Sequence, residues 1–395
     1  MHGRHRMPPP IRPATWTAAG TKRILRLTFR SAPLPGADPV LLRDLTIENY
    51  RSFDKYRLDN LARVNLLVGD NNCGKTSVLE AVHIITANGK ISCVTEALTL
   101  RECWTDKRRV RNGKEEDIPN VLALVHHNGT EVIADGKSSF SVTANGTYKQ
   151  VEVTVKVEDS ELVEIRSNAL SDGEMFRLEI MRLDSSQFPR PPAPTSRPKI
   201  DTKRAMELRH IPNHVFVPSR GLGSARSAAL WTTLLRSKKE ALVERALSVV
   251  DDRIQHIIVT PNARARSGIL FDRGDERVSA AEVGEGTVFM FSISVALAGS
   301  EGGVVLIDEI DTGLHYSKLA DMWKMVIQSA KDLDVQVFAT THSLDCIRGL
   351  AEAVERDPAF TDDVAIFRIE RPGEQAVRFG GDELRVVIEN EIEVR

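Results

Sequence analysis

Cysteine is scarce and long apolar runs are missing, and each shortage removes a class of protein. The four cysteines, Cys73, Cys93, Cys103 and Cys346, include no CxxC pair. They read as free thiols of a reducing compartment rather than as disulfides or zinc ligands. His126-His127 has no partner at a ligand spacing and reads as solvent-facing. No stretch approaches the about 18 apolar residues of a membrane-spanning helix, and no apolar core of a secretory signal occurs, so neither a transmembrane segment nor a membrane partner is expected. The formal net charge is −2, so the chain is no polycation and any contact with DNA has to come from a local basic patch. Sustained heptads and internal repeats are absent, which excludes a long coiled-coil arm. What remains is a chain of 395 residues, 42% hydrophobic and 27% charged, enough for a large core or two lobes.

Against that background one loop stands out. Gly69-Asp70-Asn71-Asn72-Cys73-Gly74-Lys75-Thr76 has the two glycines, lysine and hydroxyl residue of a P-loop. Val64 to Val68 before it is a buried-strand run, and Ser77 to Ile85 after it carries helical apolar spacing. A strand entering and a helix leaving aim backbone N–H groups at phosphates. Lys75 is placed to neutralise the β and γ phosphates of ATP, and Thr76 to hold Mg²⁺.

Far downstream, Val304 to Ile307 is a continuous apolar run ending in Asp308-Glu309. It reads as a central parallel strand, with ligands expected at its carboxyl end. Asp308 is expected on the metal and Glu309 on the attacking water. A further strand, Val335 to Ala339, ends in Thr340-Thr341-His342-Ser343, which puts His342 where it can sense the γ-phosphate. Between these elements Val283-Gly284-Glu285-Gly286-Thr287 precedes an apolar helix, Val288 to Ala298. Its glycines expose a helix N-terminus, either as an anion site or as a plain cap.

The order of these motifs resembles that of ABC-class ATPases. Gly284-Glu285-Gly286, Leu306 to His315 and Thr340 to Ser343, together with the opening Ile47-Glu48-Asn49-Tyr50-Arg51-Ser52-Phe53, look like the OLD-like branch, related to RecF and SMC heads. The resemblance covers residues 41–395. It implies an α/β fold: an ABC-type P-loop head with a mostly parallel core sheet, an antiparallel β lobe and a helical subdomain. It also implies an ATP-dependent homodimer, in which Gly69 to Ser77, Asp308, Glu309 and His342 of one subunit face Gly284 to Thr287 of the other. Asp311 falls on the family's D-loop acid. The transporter signature is absent and no glutamine is assigned to the metal-contacting loop. No acidic Toprim pattern follows the last motif, so a nuclease or other effector is expected as a separate protein, and DNA as a further partner by analogy alone. A transporter's ATPase subunit and a non-hydrolysing scaffold are the competing readings, and the location implied is the cytoplasm.

The rest of the chain divides by composition. Residues 1–40, with Arg4, Arg6, Arg12, Lys22, Arg23, Arg26 and Arg30, read as a basic, disordered extension. An organelle transit peptide has similar composition. Residues 106–203 read as a β-rich lobe or insert of hairpins turning at Asn145-Gly146 and Asp172-Gly173, closed by a proline-rich loop over 185–199. Residues 204–251 read as a helical subdomain. The basic run Lys107 to Arg111, followed at once by Glu115-Glu116-Asp117, reads as a solvated loop rather than a DNA site.

Overall fold

The computed structural model describes residues 42–87, 89–90, 93–94, 96–97, 104–111, 114–119, 121–124, 136–145, 150–158, 161–171, 174–182, 213–248, 251–259 and 268–389. The basic extension, the proline-rich loop, the first part of the helical region (204–212) and His126-His127 lie outside them.

The core is a six-stranded sheet in the order β10 (His214–Val217), β14 (Val304–Ile307), β15 (Gln336–Thr340), β3 (Val64–Val68), β16 (Val364–Arg368) and β17 (Val377–Gly380). All neighbours are parallel except β17, which turns back antiparallel on β16. The continuous apolar runs follow from this arrangement, because both faces of the sheet are covered. Val64, Leu66, Val68, Val305 and Ile307 face one hydrophobic cluster. Leu67, Val304 and Leu306 face the other.

Helices α4 (Glu285–Gly299), α5 (Leu319–Asp332) and α6 (Leu344–Arg356) contribute to the first cluster. α4 is apolar nearly all round and buried accordingly, from Val288 to Ala298. The second cluster holds α1 (Lys75–Thr86) and a second, antiparallel sheet in the order β2 (Phe53–Leu58), β1 (Asp44–Tyr50), β6 (Gly136–Asn145), β7 (Gln150–Glu158), β8 (Glu161–Ser171) and β9 (Glu174–Arg182). β6 pairs with β1, setting Leu45 opposite Ala144. The hairpins β6 to β9 therefore continue the sheet begun by β1 and β2. Two further helices, α2 (Ser224–Ser237) and α3 (Glu240–Ser248), fall where helical spacing placed them. A last helix, α7 (Leu384–Glu389), follows β17. The fold is the α/β head expected, with a mostly parallel core sheet, an antiparallel lobe and a helical portion.

One expectation is corrected. Lys107 to Arg111 is strand, part of β4 (Trp104–Arg111), not loop. β5 (Lys114–Pro119) folds back on it and sets Arg108 opposite Asp117 and Arg109 opposite Glu116. The acidic run thus meets the basic run as its strand partner.

The antiparallel sheet is tied to α1 through a buried charge. Glu80, 1% exposed, accepts from Arg51 Nε at 2.7 Å and from the Tyr50 hydroxyl at 3.2 Å. Arg51 also donates to the carbonyls of Ala97 and Ala123. Burial opposes the arginine's charge, but Tyr50 and Glu80 outweigh it and raise its pKa. Removing one partner of such a pair leaves a buried charge uncompensated, so Arg51→Ala is expected to cost about 3–5 kcal/mol of unfolding free energy. Urea unfolding measures it, and adding Glu80→Gln should recover part of the loss. A cost below about 1 kcal/mol would mean that the pair behaves as a surface ion pair.

Candidate nucleotide site

Parallel register brings the sequence motifs to one edge. Val217 lies opposite Ile307, Ile307 opposite Ala339, Thr340 opposite Leu67, and Val68 opposite Arg368. The segments that leave these strands are the P-loop, Asp308-Glu309, Thr341-His342 and Ile369 to Pro372. All open at the carboxyl edge, where open α/β sheets bind ligands.

The loop's glycines are needed for both conformation and space. Gly69 and Gly74 have φ of 137° and 113°. A Cβ on Gly69 would stand 2.6 Å from the carbonyl oxygen of Ile369, and one on Gly74 2.4 Å from Phe53 Cζ. Phe53 stacks on Tyr56, and the Tyr56 hydroxyl accepts from the Glu370 N–H at 3.2 Å. The turn after β1 and the segment after β16 thus clamp the loop. Gly74 caps α1, and no acid stands in that helix's first turn, so the N-terminal field is left to an anion. Lys75 is buried at 4% exposure and donates to the carbonyls of Gly69 and Asp70, both at 2.7 Å. Burial holds its ammonium below the ordinary lysine value.

The acids are set by a residue that sequence reasoning passed over. The Thr340 hydroxyl donates to Asp308 Oδ1 at 2.8 Å and accepts from the Glu309 N–H at 2.8 Å. Thr76 Oγ1 reaches the same Asp308 oxygen at 3.5 Å. Glu309 has φ of 51°, a left-handed conformation that costs about 1–2 kcal/mol outside glycine. The Ile310 N–H, bonded to the Thr340 carbonyl at 3.0 Å, helps to hold the turn. The Glu309 and His342 side chains are both half-exposed, with His342 Nε2 3.7 Å from Glu309 Oε1. Asp311 accepts from the Thr341 hydroxyl at 2.7 Å.

The segment Gly284 to Thr287 opens α4, with Gly284 as its exposed cap. Gly286 is buried against Gly313, where a Cβ would meet the carbonyl oxygen at 2.4 Å. Its glycine is therefore required by packing within the chain, whatever else it does. Sequence reasoning also missed a cleft of about 540 Å³ beside the loop, lined by Asp70 to Cys73 on one side and Arg368 to Pro372 on the other. Only the fold brings these two segments together.

The fit of a nucleotide with Mg²⁺ rests on these groups. The loop can approach phosphates closely, Lys75 supplies a cation, and Thr76 with Asp308 forms the hydroxyl–carboxylate oxygen set that a hard cation takes. Among the described residues no helix is long and apolar enough to cross a membrane.

Comparison with known proteins gives concordant matches. Residues 64–346 match the family described as "AAA domain, putative AbiEii toxin, Type IV TA system". The chain is 21% identical to an ATP/GTP phosphatase of Helicobacter pylori, over 89% of this chain and 99% of that protein. It is 20% identical to a DNA replication and repair protein RecF of Streptococcus pyogenes, over 79% and 95%. Among solved structures, an SmcHead bound to the C-winged helix domain of ScpA is 10% identical with a TM-score of 0.49, covering 86% of this chain and 97% of that one.

Proposed function

We propose, on the premise that the chain belongs to the AAA-domain family matched over residues 64–346, that it is an ATPase of the RecF/SMC-related ABC class and acts as a nucleotide-dependent switch. One observation carries the reading: P-loop, Asp308-Glu309 and His342 leave adjacent parallel strands at one edge, with Thr340 bonded to both acids. Gly69 to Ser77 take the phosphates on backbone N–H groups, and Lys75 exchanges its bonds to loop carbonyls for bonds to the β and γ oxygens. Thr76 and Asp308 hold Mg²⁺, which when bound offsets phosphate charge. Glu309 orients a water and takes its proton, and His342 contacts the γ-phosphate. Arg368 and Arg371 border the cleft beside the loop and contact the rest of the nucleotide.

The signature, Gly284 to Thr287, exposed at Gly284 and Glu285, serves a second subunit's nucleotide, so that ATP closes an OLD-like homodimer through the D-loop at Asp311. Closure then controls a separate effector or a DNA transaction in the cytoplasm. The first test is direct: the purified chain should release phosphate from ATP only with Mg²⁺ present, and its absence would overturn the enzymatic reading.

The trans arrangement is tested at Gly284. A Cβ there meets nothing within 4 Å, and its φ of −60° suits any residue. As a mere cap, Gly284→Asp is neutral or mildly stabilising, since Asp is a good N-cap. As an anion site in trans, the added carboxylate repels the partner's γ-phosphate, so ATP binds normally but dimerisation and hydrolysis fail. Mixing Gly284→Asp with Lys75→Ala puts both defects in one composite site and leaves the other intact. Activity should partly return. No recovery, with heterodimers present by light scattering, would count against a signature in trans.

A further inference from the structure

Away from the nucleotide edge, three metal-ligating side chains from separate parts of the chain converge. His83 stands in the last turn of α1, Cys93 follows in the segment after that helix, and His214 opens β10. One donor atom from each lies within 4.8 Å of the other two. Cys93 Sγ is 3.9 Å from His214 Nε2. The His83 and His214 rings are 5.2 Å apart, with Phe216 packed on the His83 ring at 5.5 Å.

The state of His83 points to a missing ligand. The residue is 1% exposed, and its Nδ1 is buried with no hydrogen-bond partner. Its other nitrogen, Nε2, lies 3.3 Å from Glu96 Oε2, and Arg226 holds the other Glu96 oxygen at 3.0 Å. A buried polar nitrogen left without a partner carries its full desolvation cost. An imidazole whose far nitrogen is fixed by a carboxylate is the usual arrangement of a metal-bound histidine.

We propose that His83, through Nδ1, Cys93 and His214 bind a zinc-class divalent cation, with the fourth position taken by water. Two imidazoles and a thiolate suit zinc or cobalt and do not suit Mg²⁺, which takes oxygen ligands. Around a tetrahedral ion with bonds of roughly 2.0 Å to nitrogen and 2.3 Å to sulfur, neighbouring donors stand roughly 3.3–3.6 Å apart. A pair of donors at the 4.8 Å limit therefore closes by roughly 1.2–1.5 Å. The site would staple the segment around Cys93 to the end of the P-loop helix and to β10, the neighbour of β14.

Cobalt(II) is the probe. Full-length protein stripped of metal and titrated with cobalt should develop tetrahedral visible bands and a thiolate-to-cobalt charge-transfer band that saturate at one equivalent, and zinc should abolish them. Cys93→Ser should remove the charge-transfer band, and Cys73→Ser should retain it. His214→Gln should weaken binding at least roughly tenfold. Circular dichroism without metal checks that each variant folds, and zinc should raise the melting temperature of the wild type but not of His214→Gln. Absence of the charge-transfer band in folded wild type would overturn the site, as would its survival in Cys93→Ser or its loss in Cys73→Ser. If Cys93→Ser does not fold, unchanged cobalt affinity in His214→Gln would overturn it equally.

Discussion

Glu309→Gln is expected to slow ATP turnover by about 10²–10⁴-fold while leaving ATP binding intact, the usual cost of losing a general base. The substitution keeps the shape of the side chain and removes the charge proposed to orient the water and accept its proton. The turn should survive it, because Glu309 is held by backbone bonds: its N–H to the Thr340 hydroxyl at 2.8 Å, and the next N–H to the Thr340 carbonyl. The side chain is half-exposed, so no packing is lost. Steady-state phosphate release gives the rate and calorimetry the affinity. With hydrolysis blocked, ATP should also trap a dimer visible by light scattering. Wild-type turnover in the variant would move the role elsewhere, and Asp311 would be tested next, although its carboxylate is already engaged by Thr341.

Lys75→Ala should abolish measurable binding of ATP with Mg²⁺. The ammonium already sits inside the loop, 2.7 Å from two of its carbonyls. It can therefore turn to the phosphates by exchanging partners, without being drawn in from solvent. Its removal takes away the cation proposed to face two phosphates and leaves a gap under the loop. Calorimetry on both proteins, with a melting curve to show that the variant folds, decides the matter. Equal affinities would remove Lys75 from the site.

How far the site could be read from sequence depended on how local its parts are. The P-loop carries its confirmation within some twenty residues, because strand, loop and helix follow one another, and the fold keeps that order. Asp308-Glu309 was legible because a doubly covered strand must be apolar along its whole length, so its polar end stands out. Thr340 was not, since its importance lies in a bond to Asp308 across two strands 32 residues apart in sequence. The cleft wall at Arg368 to Pro372 was hidden in the same way, as was the convergence of His83, Cys93 and His214, where no short spacing exists to read. Gly286 read either as part of an anion site or as a helix cap, and its packing on Gly313 became visible only once the turn after Glu309 had been placed. The basic run after Trp104 was misjudged for the opposite reason. Its neutralising acids were noticed, but local charge balance does not distinguish a loop from a hairpin, and the register that pairs Arg108 with Asp117 is a property of two strands.

The threonine between the two acids sets a limit on how they can move. Its hydroxyl gives its one proton to Asp308 and takes one from the Glu309 backbone. A β-branched side chain has few torsional states about its first bond. Rotation of that bond would break both contacts together, so the aim of the Asp308 carboxylate and the hydrogen bond at the Glu309 backbone depend on one torsion.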